Sequence, residues 1–172
     1  TGDGGLTVMS YGSYYRAGGA EPHHWATVLN TAEALGAPNI RIWAGNKGSA
    51  QTDERGRNEI VGDIRSACRS AAASRITVSV EYHGGTLTDT LESTRKLIDE
   101  VSHPNFYTYW QPAVTPPPVE RENALITMLP HVSHVHVFHW EQGTTRRLPL
   151  ADGAADWTGY RRHLAGTGKE HG

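Results

Sequence analysis

Three polar residues lie at or near the ends of successive strand-like segments of this sequence. Glu81 ends the run ITVSVE, Gln111 ends the run FYTYWQ, and His136 lies in the run HVSHVHV. A carboxylate, an amide oxygen and an imidazole that converge can bind a divalent cation, with a preference between that of a magnesium site and that of a zinc site. The same three residues can also form a hydrogen-bonded pocket without a metal, and their spacing leaves both interpretations open.

Side-chain alternation indicates how Glu81 is positioned. Successive residues of a strand point to opposite faces, so Glu81 shares a polar face with Thr77 and Ser79, while Val78 and Val80 form an apolar face. If helices cover the valines, the polar face looks into a barrel or cleft. Glu81 then lies at the carboxyl end of a strand, where α/β proteins place their catalytic groups.

Five strand-like segments alternate with helical segments along the chain. The strands are predicted to start at Leu6, Ile40, Ile76, Phe106 and Val132. The helices are predicted to begin at Pro22, near Glu54, at Asp89 through a capping box with Glu92, at the triple proline 116–118, and at Asp156. Regular alternation of this kind indicates parallel strands joined by right-handed crossovers.

Two architectures fit this alternation, a doubly wound sheet and a (β/α) barrel. Polar inward faces recur on successive strands and no G-x-G-x-x-G loop opens a helix, and both observations favour the barrel. A closed barrel needs eight strands and about 250 residues. We therefore expect residues 1–172 to form a single α/β domain, an incomplete (β/α) barrel of about five strands.

Composition excludes several classes of protein. The 16 basic and 18 acidic residues give a net charge of -2 without a basic stripe, which argues against a nucleic-acid partner. No apolar run is long enough for a membrane span. The chain has one cysteine, Cys68, which excludes an internal disulfide and which we expect on the buried side of the second helix. A single cysteine fits a reducing compartment, so we predict a cytoplasmic protein.

Several motifs, in order, resemble the xylose isomerase-like TIM barrel superfamily and its sugar phosphate isomerase/epimerase branch. They are GAPNIRIWAG, VSVEYH, the strand that ends at Gln111-Pro112, HVHVFHWE and ADGAADW, and the resemblance covers roughly residues 6–164. It implies that these strands correspond to the third to seventh of eight. It also implies a divalent metal, manganese, magnesium or zinc, held by a glutamate, an aspartate, a histidine and a final glutamate.

The resemblance assigns roles to particular residues and shows three departures. Glu81 matches the first glutamate and His136 matches the histidine. Gln111 stands at the aspartate position, which removes one negative charge and should lower metal affinity, and His139 replaces an aspartate that often follows the histidine motif. The final glutamate has no candidate in these 172 residues.

The implied chemistry is the isomerisation or epimerisation of a sugar or sugar phosphate. The metal acidifies the proton on the carbon next to a carbonyl, and Glu81, as ligand and base, removes it to give an enediolate. His83, Trp43 and Arg147 are predicted to bind the substrate. For His83 and Arg147 a surface role, and for Trp43 ordinary packing, stay open as alternatives.

Two other functions stay open. A weakly active or inactive barrel that binds a carbohydrate-like ligand fits Gln111 and the absent glutamate. An endonuclease of the same superfamily would need more metal ligands and a basic rim, and the charge balance argues against it. Unpaired strand edges at both ends of such a sheet predict dimerisation or poor solubility.

Overall fold

The computed structural model describes residues 4–19 and 24–172. Five strands form one sheet in chain order: β1 Tyr11–Arg16, β2 Asn39–Trp43, β3 Thr77–Glu81, β4 Phe106–Trp110 and β5 Val132–Val135. The main helices are α1 Trp25–Leu35, α2 Glu54–Ala73, α3 Leu91–Val101, α4 Pro118–Met128 and α5 Ala154–Gly166, with shorter 3-10 turns at Ser49–Gln51, Leu129–His131 and Leu150–Gly153. Strands β1, β2 and β3 pair in parallel, as the alternation predicts.

The chain packs as two compact units, Thr1–Thr108 and Tyr109–Gly172, with the boundary inside β4. In the first unit, Ile42 on β2 and Val78 and Val80 on β3 are completely buried, as are Ile64 and Cys68 on α2. The predicted apolar face of β3 and the predicted core position of Cys68 are therefore confirmed. Burial raises the pKa of the Cys68 thiol to about 12, because the thiolate loses its hydration there.

The opposite face of the same strands is polar, also as predicted. Asn39 Nδ2 donates to Thr77 Oγ1 at 2.8 Å and to Ser79 Oγ at 2.7 Å, and Ser10 Oγ donates to Asn39 Oδ1 at 2.9 Å. Ser79 and Asn39 are almost completely buried. Buried polar groups are stable when they are hydrogen-bonded, so this network explains how a strand face of this composition can lie in the interior.

The second unit is built on an aromatic core. Trp110, at the end of β4, packs edge-on against Tyr160 of α5 at 5.1 Å between ring centroids and against Trp157 at 6.4 Å. Trp110 and Tyr160 are 3% and 2% exposed, so both rings belong to the core of this unit. Burial is also the main reason that the pKa of Tyr160 rises to about 12.

Four predicted boundaries are wrong. β1 begins at Tyr11 and not at Leu6, because the apolar residues Leu6 and Met9 are 70% and 51% exposed and form no buried strand. β5 ends at Val135, so His136 follows the strand. The other two errors concern helix caps, and the predicted start of the first helix at Pro22 lies outside the described residues.

The two cap errors have local causes. Thr90, not Asp89, caps α3 by accepting from Ser93 N at 3.1 Å, while Asp89 accepts from Ser49 N at 2.9 Å and so ties two loops together. Helix α5 starts two residues before Asp156, which lies in its first turn. None of the described helices combines the length and the apolar character that a membrane crossing requires.

Candidate functional site

Glu81 ends β3 on its polar face and forms an ion pair with Arg41 of β2. The Arg41 guanidinium donates from Nη1 to Glu81 Oε2, and the two side chains are only 15% and 11% exposed. Arg41 lies two residues off the register position of Glu81, since Arg41 pairs with Ser79 and Ile42 with Val80. The pair therefore places a compensated carboxylate at the carboxyl end of the sheet.

Gly12 on β1 makes room for the Arg41 guanidinium. A Cβ atom at position 12 would lie 3.1 Å from Arg41 Nη2, so a larger residue would displace the side chain that faces Glu81. Ser13 Oγ also donates to the Arg41 carbonyl at 2.7 Å. Two neighbouring residues of β1 thus fix both the backbone and the side chain of Arg41.

Trp43, which ends β2, is the centre of a group of cationic and aromatic side chains. The guanidinium carbon of Arg16 lies 4.5 Å from the centroid of the indole, and that of Arg41 lies 5.4 Å from it. The His83 ring meets the indole edge to face at 4.5 Å between centroids. The structure therefore brings the two predicted substrate-binding residues of the first unit, Trp43 and His83, into contact.

The turn after β3 holds His83 beside this indole. Thr88 Oγ1 donates to the carbonyl of Glu81, and the amide of His83 donates to the Thr88 carbonyl at 3.1 Å. Thr86 Oγ1 donates to the His83 carbonyl at 2.8 Å. The glycines that follow His83 let the chain turn sharply, since Gly85 has a φ of +73°.

Gln111 and His136 form the corresponding pair of the second unit. Nδ1 of His136 lies 3.0 Å from Oε1 of Gln111. Since the amide oxygen can only accept, Nδ1 is the donor of this hydrogen bond. The His136 ring also meets Tyr109 edge-on at 5.2 Å between centroids, which fixes its orientation. The predicted proximity of Gln111 and His136 is therefore observed.

Arg147 lies on an exposed loop of the second unit and is held by aromatic rings. Its guanidinium carbon lies 4.7 Å from the centroid of Phe138 and 5.5 Å from that of Trp140. A β-bridge joins Trp140 to Arg147. Stacked guanidinium groups keep their in-plane donors available for oxyanions, so Arg147 is suited to bind a carboxylate or phosphate.

The candidate metal ligands fit a hard or intermediate divalent cation by donor chemistry. They supply carboxylate and amide oxygens and one imidazole nitrogen, a set suited to manganese or magnesium. Within residues 4–19 and 24–172, no group of three or more histidine, cysteine, aspartate or glutamate side chains lies close enough to hold a metal ion. Such a site would therefore depend on the Gln111 amide, and the assignment of Glu81, Gln111 and His136 as ligands stays a prediction.

Comparison with known protein families decides the classification. The model of the xylose isomerase-like TIM barrel family matches residues 2–170. The chain belongs to this family. The predicted fold class is thereby confirmed, and the five strands form part of such a barrel.

A curated relative of this chain is a dehydratase. The chain is 37% identical over 103 residues to a 3-dehydroshikimate dehydratase of Bacillus anthracis, a match that covers 56% of this chain and 35% of the relative. The chain therefore aligns with about a third of that protein's length.

Several solved structures show the same fold at low sequence identity. The probable 3-DHS dehydratase AsbF of Bacillus anthracis superimposes with a TM-score of 0.78 at 23% identity, over 99% of this chain and 70% of that one. A xylose isomerase-like TIM barrel protein of Mycobacterium smegmatis in complex with magnesium gives 0.76 at 16% identity, over 99% and 66%. The 3-keto-D-glucoside 4-epimerase YcjR of E. coli gives 0.67 at 16% identity, over 94% and 70%.

Sequence reasoning missed Arg41 as a site residue. Alternation places Arg41 on the same face as Trp43, but its contact with Glu81 depends on the register between β2 and β3. The sequence pattern that could have indicated this contact is a basic residue on the inward face of β2, Arg41, and a glutamate on the inward face of the next strand, Glu81.

Proposed function

We propose that this chain carries the site of an enzyme that removes a proton from the carbon next to a carbonyl in a small polyhydroxylated substrate. Glu81 is the proposed base. The observation that carries the proposal is the position of Glu81 at the carboxyl end of β3, 11% exposed and paired with Arg41. A carboxylate in such an environment is oriented and shielded from bulk water, as proton abstraction from carbon requires.

Arg41 and His83 complete the proposed chemistry on the protein side. A guanidinium has five N–H donors, and the bond to Glu81 uses one of them, so Arg41 can also bind a substrate oxygen that gains negative charge. His83, held edge-on to Trp43, can bind a substrate hydroxyl. Trp43 then supplies an apolar wall for the substrate ring.

A divalent metal held by Glu81, Gln111 and His136 would polarise the substrate carbonyl and acidify the adjacent C–H bond. Two hydrogen bonds orient the proposed protein ligands for this role. The Gln111 amide orients the His136 ring through Nδ1, and Arg41 orients the Glu81 carboxylate. Hydrogen bonds that orient ligands in this way typically raise metal affinity about 10-fold or more.

The fate of the deprotonated substrate separates two reactions. If a hydroxyl leaves from the next carbon, the product is dehydrated; if a proton returns at another carbon or face, the product is an isomer or epimer. The 37% identity to a 3-dehydroshikimate dehydratase supports dehydration of a cyclic hydroxy ketone that bears a carboxylate. Arg147, stacked on two aromatic rings, would bind the carboxylate of that substrate or the phosphate of a sugar phosphate.

Product analysis tests the proposal. The chain, supplied with Mn²⁺ or Mg²⁺, is incubated with 3-dehydroshikimate and in parallel with a ketose such as D-allulose, and products are identified by ultraviolet absorbance and NMR. We expect an aromatic dihydroxybenzoate from the first substrate. An epimeric sugar from the second would instead support the isomerase or epimerase function, and conversion of neither would refute the proposal.

A matched pair of variants controls this experiment. Glu81→Gln keeps the size of the side chain and removes the base, so it should abolish turnover. Glu100→Gln removes the carboxylate of another arginine pair, Arg57 with Glu100 at 2.6 Å on helices α2 and α3, and should leave turnover unchanged. Equal effects of both variants would show that the loss reflects folding and not chemistry.

A second function, ligand binding without turnover, is favoured by one observation. Gln111 stands where the family resemblance places an aspartate, and its neutral amide holds a cation less strongly than a carboxylate does. Calorimetry distinguishes the two functions, because a binder would take up the substrate without forming product. Gln111→Asp should then raise metal affinity and introduce turnover.

A further inference from the structure

Arg121 is a buried arginine of α4 that lies outside the proposed catalytic group. It is 4% exposed, and within the described residues no carboxylate pairs with it. It is also the fourth residue of its helix, where the helix dipole disfavours a positive charge. Burial and position both argue against a role in stabilising α4 itself.

The guanidinium of Arg121 instead connects two loops. Its Nη2 donates to the Val114 carbonyl at 3.0 Å, in the loop after β4, and to Gln142 Oε1 at 3.3 Å, in the loop after β5. Gln142 Nε2 in turn donates to the Thr115 carbonyl at 2.9 Å. Arg121 thus donates hydrogen bonds to both segments, 112–115 and 140–143, and Gln142 donates a hydrogen bond from the second segment to the first.

Two further bonds join the same segments. Trp140 Nε1 donates to the Pro112 carbonyl at 2.9 Å, and the amide of Gly143 donates to the Val114 carbonyl at 3.4 Å. The first segment directly follows Gln111, and the second is bridged to Arg147 through Trp140. The joined loops thus carry one proposed metal ligand and one proposed substrate-binding residue.

We infer that Arg121 is a positioning residue that fixes these two loops against each other and so holds Gln111 in contact with His136. The inference rests on the proposed function. It adds a residue that touches neither substrate nor metal and acts through the carbonyl of Val114 and the side chain of Gln142. Its removal should loosen the loops and lower metal affinity and kcat together, by about 10-fold or more.

The test compares Arg121→Met with Arg65→Met. Arg65 is an exposed arginine of α2 that also donates to backbone carbonyls, including that of Val101 at 3.0 Å, but its bonds join two helices of the first unit. Three quantities are measured on the 172-residue chain: hydrogen–deuterium exchange of segments 112–115 and 140–143 without metal, Mn²⁺ affinity, and kcat.

For Arg121→Met we expect faster exchange in both segments, weaker Mn²⁺ binding and lower kcat, with partial recovery in Arg121→Lys. Arg65→Met should change none of these. Unchanged exchange overturns the inference whether or not the chain is active, and faster exchange with unaltered Mn²⁺ affinity and kcat also overturns it. A wild-type chain without Mn²⁺ binding or turnover refutes the proposed function, while the exchange data still decide whether Arg121 fixes the loops.

If Arg121→Met does not fold, Gln142→Leu replaces it. Gln142 is exposed, so this variant removes two of the loop bonds without altering the core. The same direction of change at a smaller magnitude is expected, and no change in exchange, Mn²⁺ affinity or kcat overturns the inference.

Discussion

Replacing Arg41 by methionine should destabilise the chain, because it removes the guanidinium that pairs with the Glu81 carboxylate. The two side chains are 15% and 11% exposed, so water can solvate the remaining charge only slightly. Removing one partner of a buried ion pair costs about 3–5 kcal/mol, and the residual exposure places Arg41→Met near about 3 kcal/mol. At a typical urea slope of about 2 kcal/mol/M, the unfolding midpoint should fall by roughly 1.5 M.

The assay is urea unfolding followed by circular dichroism, with a double-mutant cycle. The double variant Arg41→Met with Glu81→Gln should recover much of the loss, giving a coupling energy of about 2 kcal/mol. Arg57→Met is the control, because Lys96 still lies 3.7 Å from Glu100 and that carboxylate is 31% exposed. A change below about 0.5 kcal/mol in Arg41→Met, or no coupling in the cycle, would refute the reasoning.

Three other predictions concern residues near this pair and in the core. Gly12→Ala should displace the Arg41 guanidinium, 3.1 Å from the new methyl group, and lower both kcat and stability, the latter by about 1 kcal/mol in urea unfolding. Cys68, whose thiol pKa is raised by burial to about 12, should stay unreactive toward thiol reagents at pH 8 until the chain unfolds. Burial raises the pKa of Tyr160 to about 12, so the folded chain keeps a proton that the unfolded chain loses above about pH 10. The free energy of unfolding should therefore fall between about pH 10 and 12, and it should fall less steeply in Tyr160→Phe.

The buried faces of the strands could be predicted from the sequence because apolar and polar residues alternate along them. On β3 the valines alternate with polar residues, and the structure buries the valines among apolar side chains and hydrogen-bonds Ser79 to Asn39. The proximity of Gln111 and His136 was predictable for a related reason. Both residues follow neighbouring parallel strands, and the carboxyl ends of such strands meet at one edge.

The errors arise where two local signals competed. Asp89 and Thr90 can both cap a helix, and only the tertiary bond from Ser49 N to Asp89 decides that Thr90 caps α3. The apolar run from Leu6 resembles a buried strand in sequence, yet Leu6 and Met9 are exposed in the structure. Hydrophobicity alone does not specify that another element packs against such a run. Such choices depend on contacts between residues far apart in the chain.

The site residues that were missed depend on register and on loop contacts. The contact between Arg41 and Glu81 follows from the pairing of Ile42 with Val80, which alternation along one strand does not specify. The contacts of Arg121 depend on how two loops meet. Neither relation leaves a periodic pattern in the sequence.

We propose that Glu81 removes a proton from the carbon next to a substrate carbonyl. The most direct measurement is the release of deuterium to water from a substrate deuterated at that carbon, followed by NMR, in the metal-supplied chain with labelled 3-dehydroshikimate or D-allulose. We predict release by the wild type and by Glu100→Gln, and none by Glu81→Gln. Release at the wild-type rate in Glu81→Gln would contradict this role of Glu81.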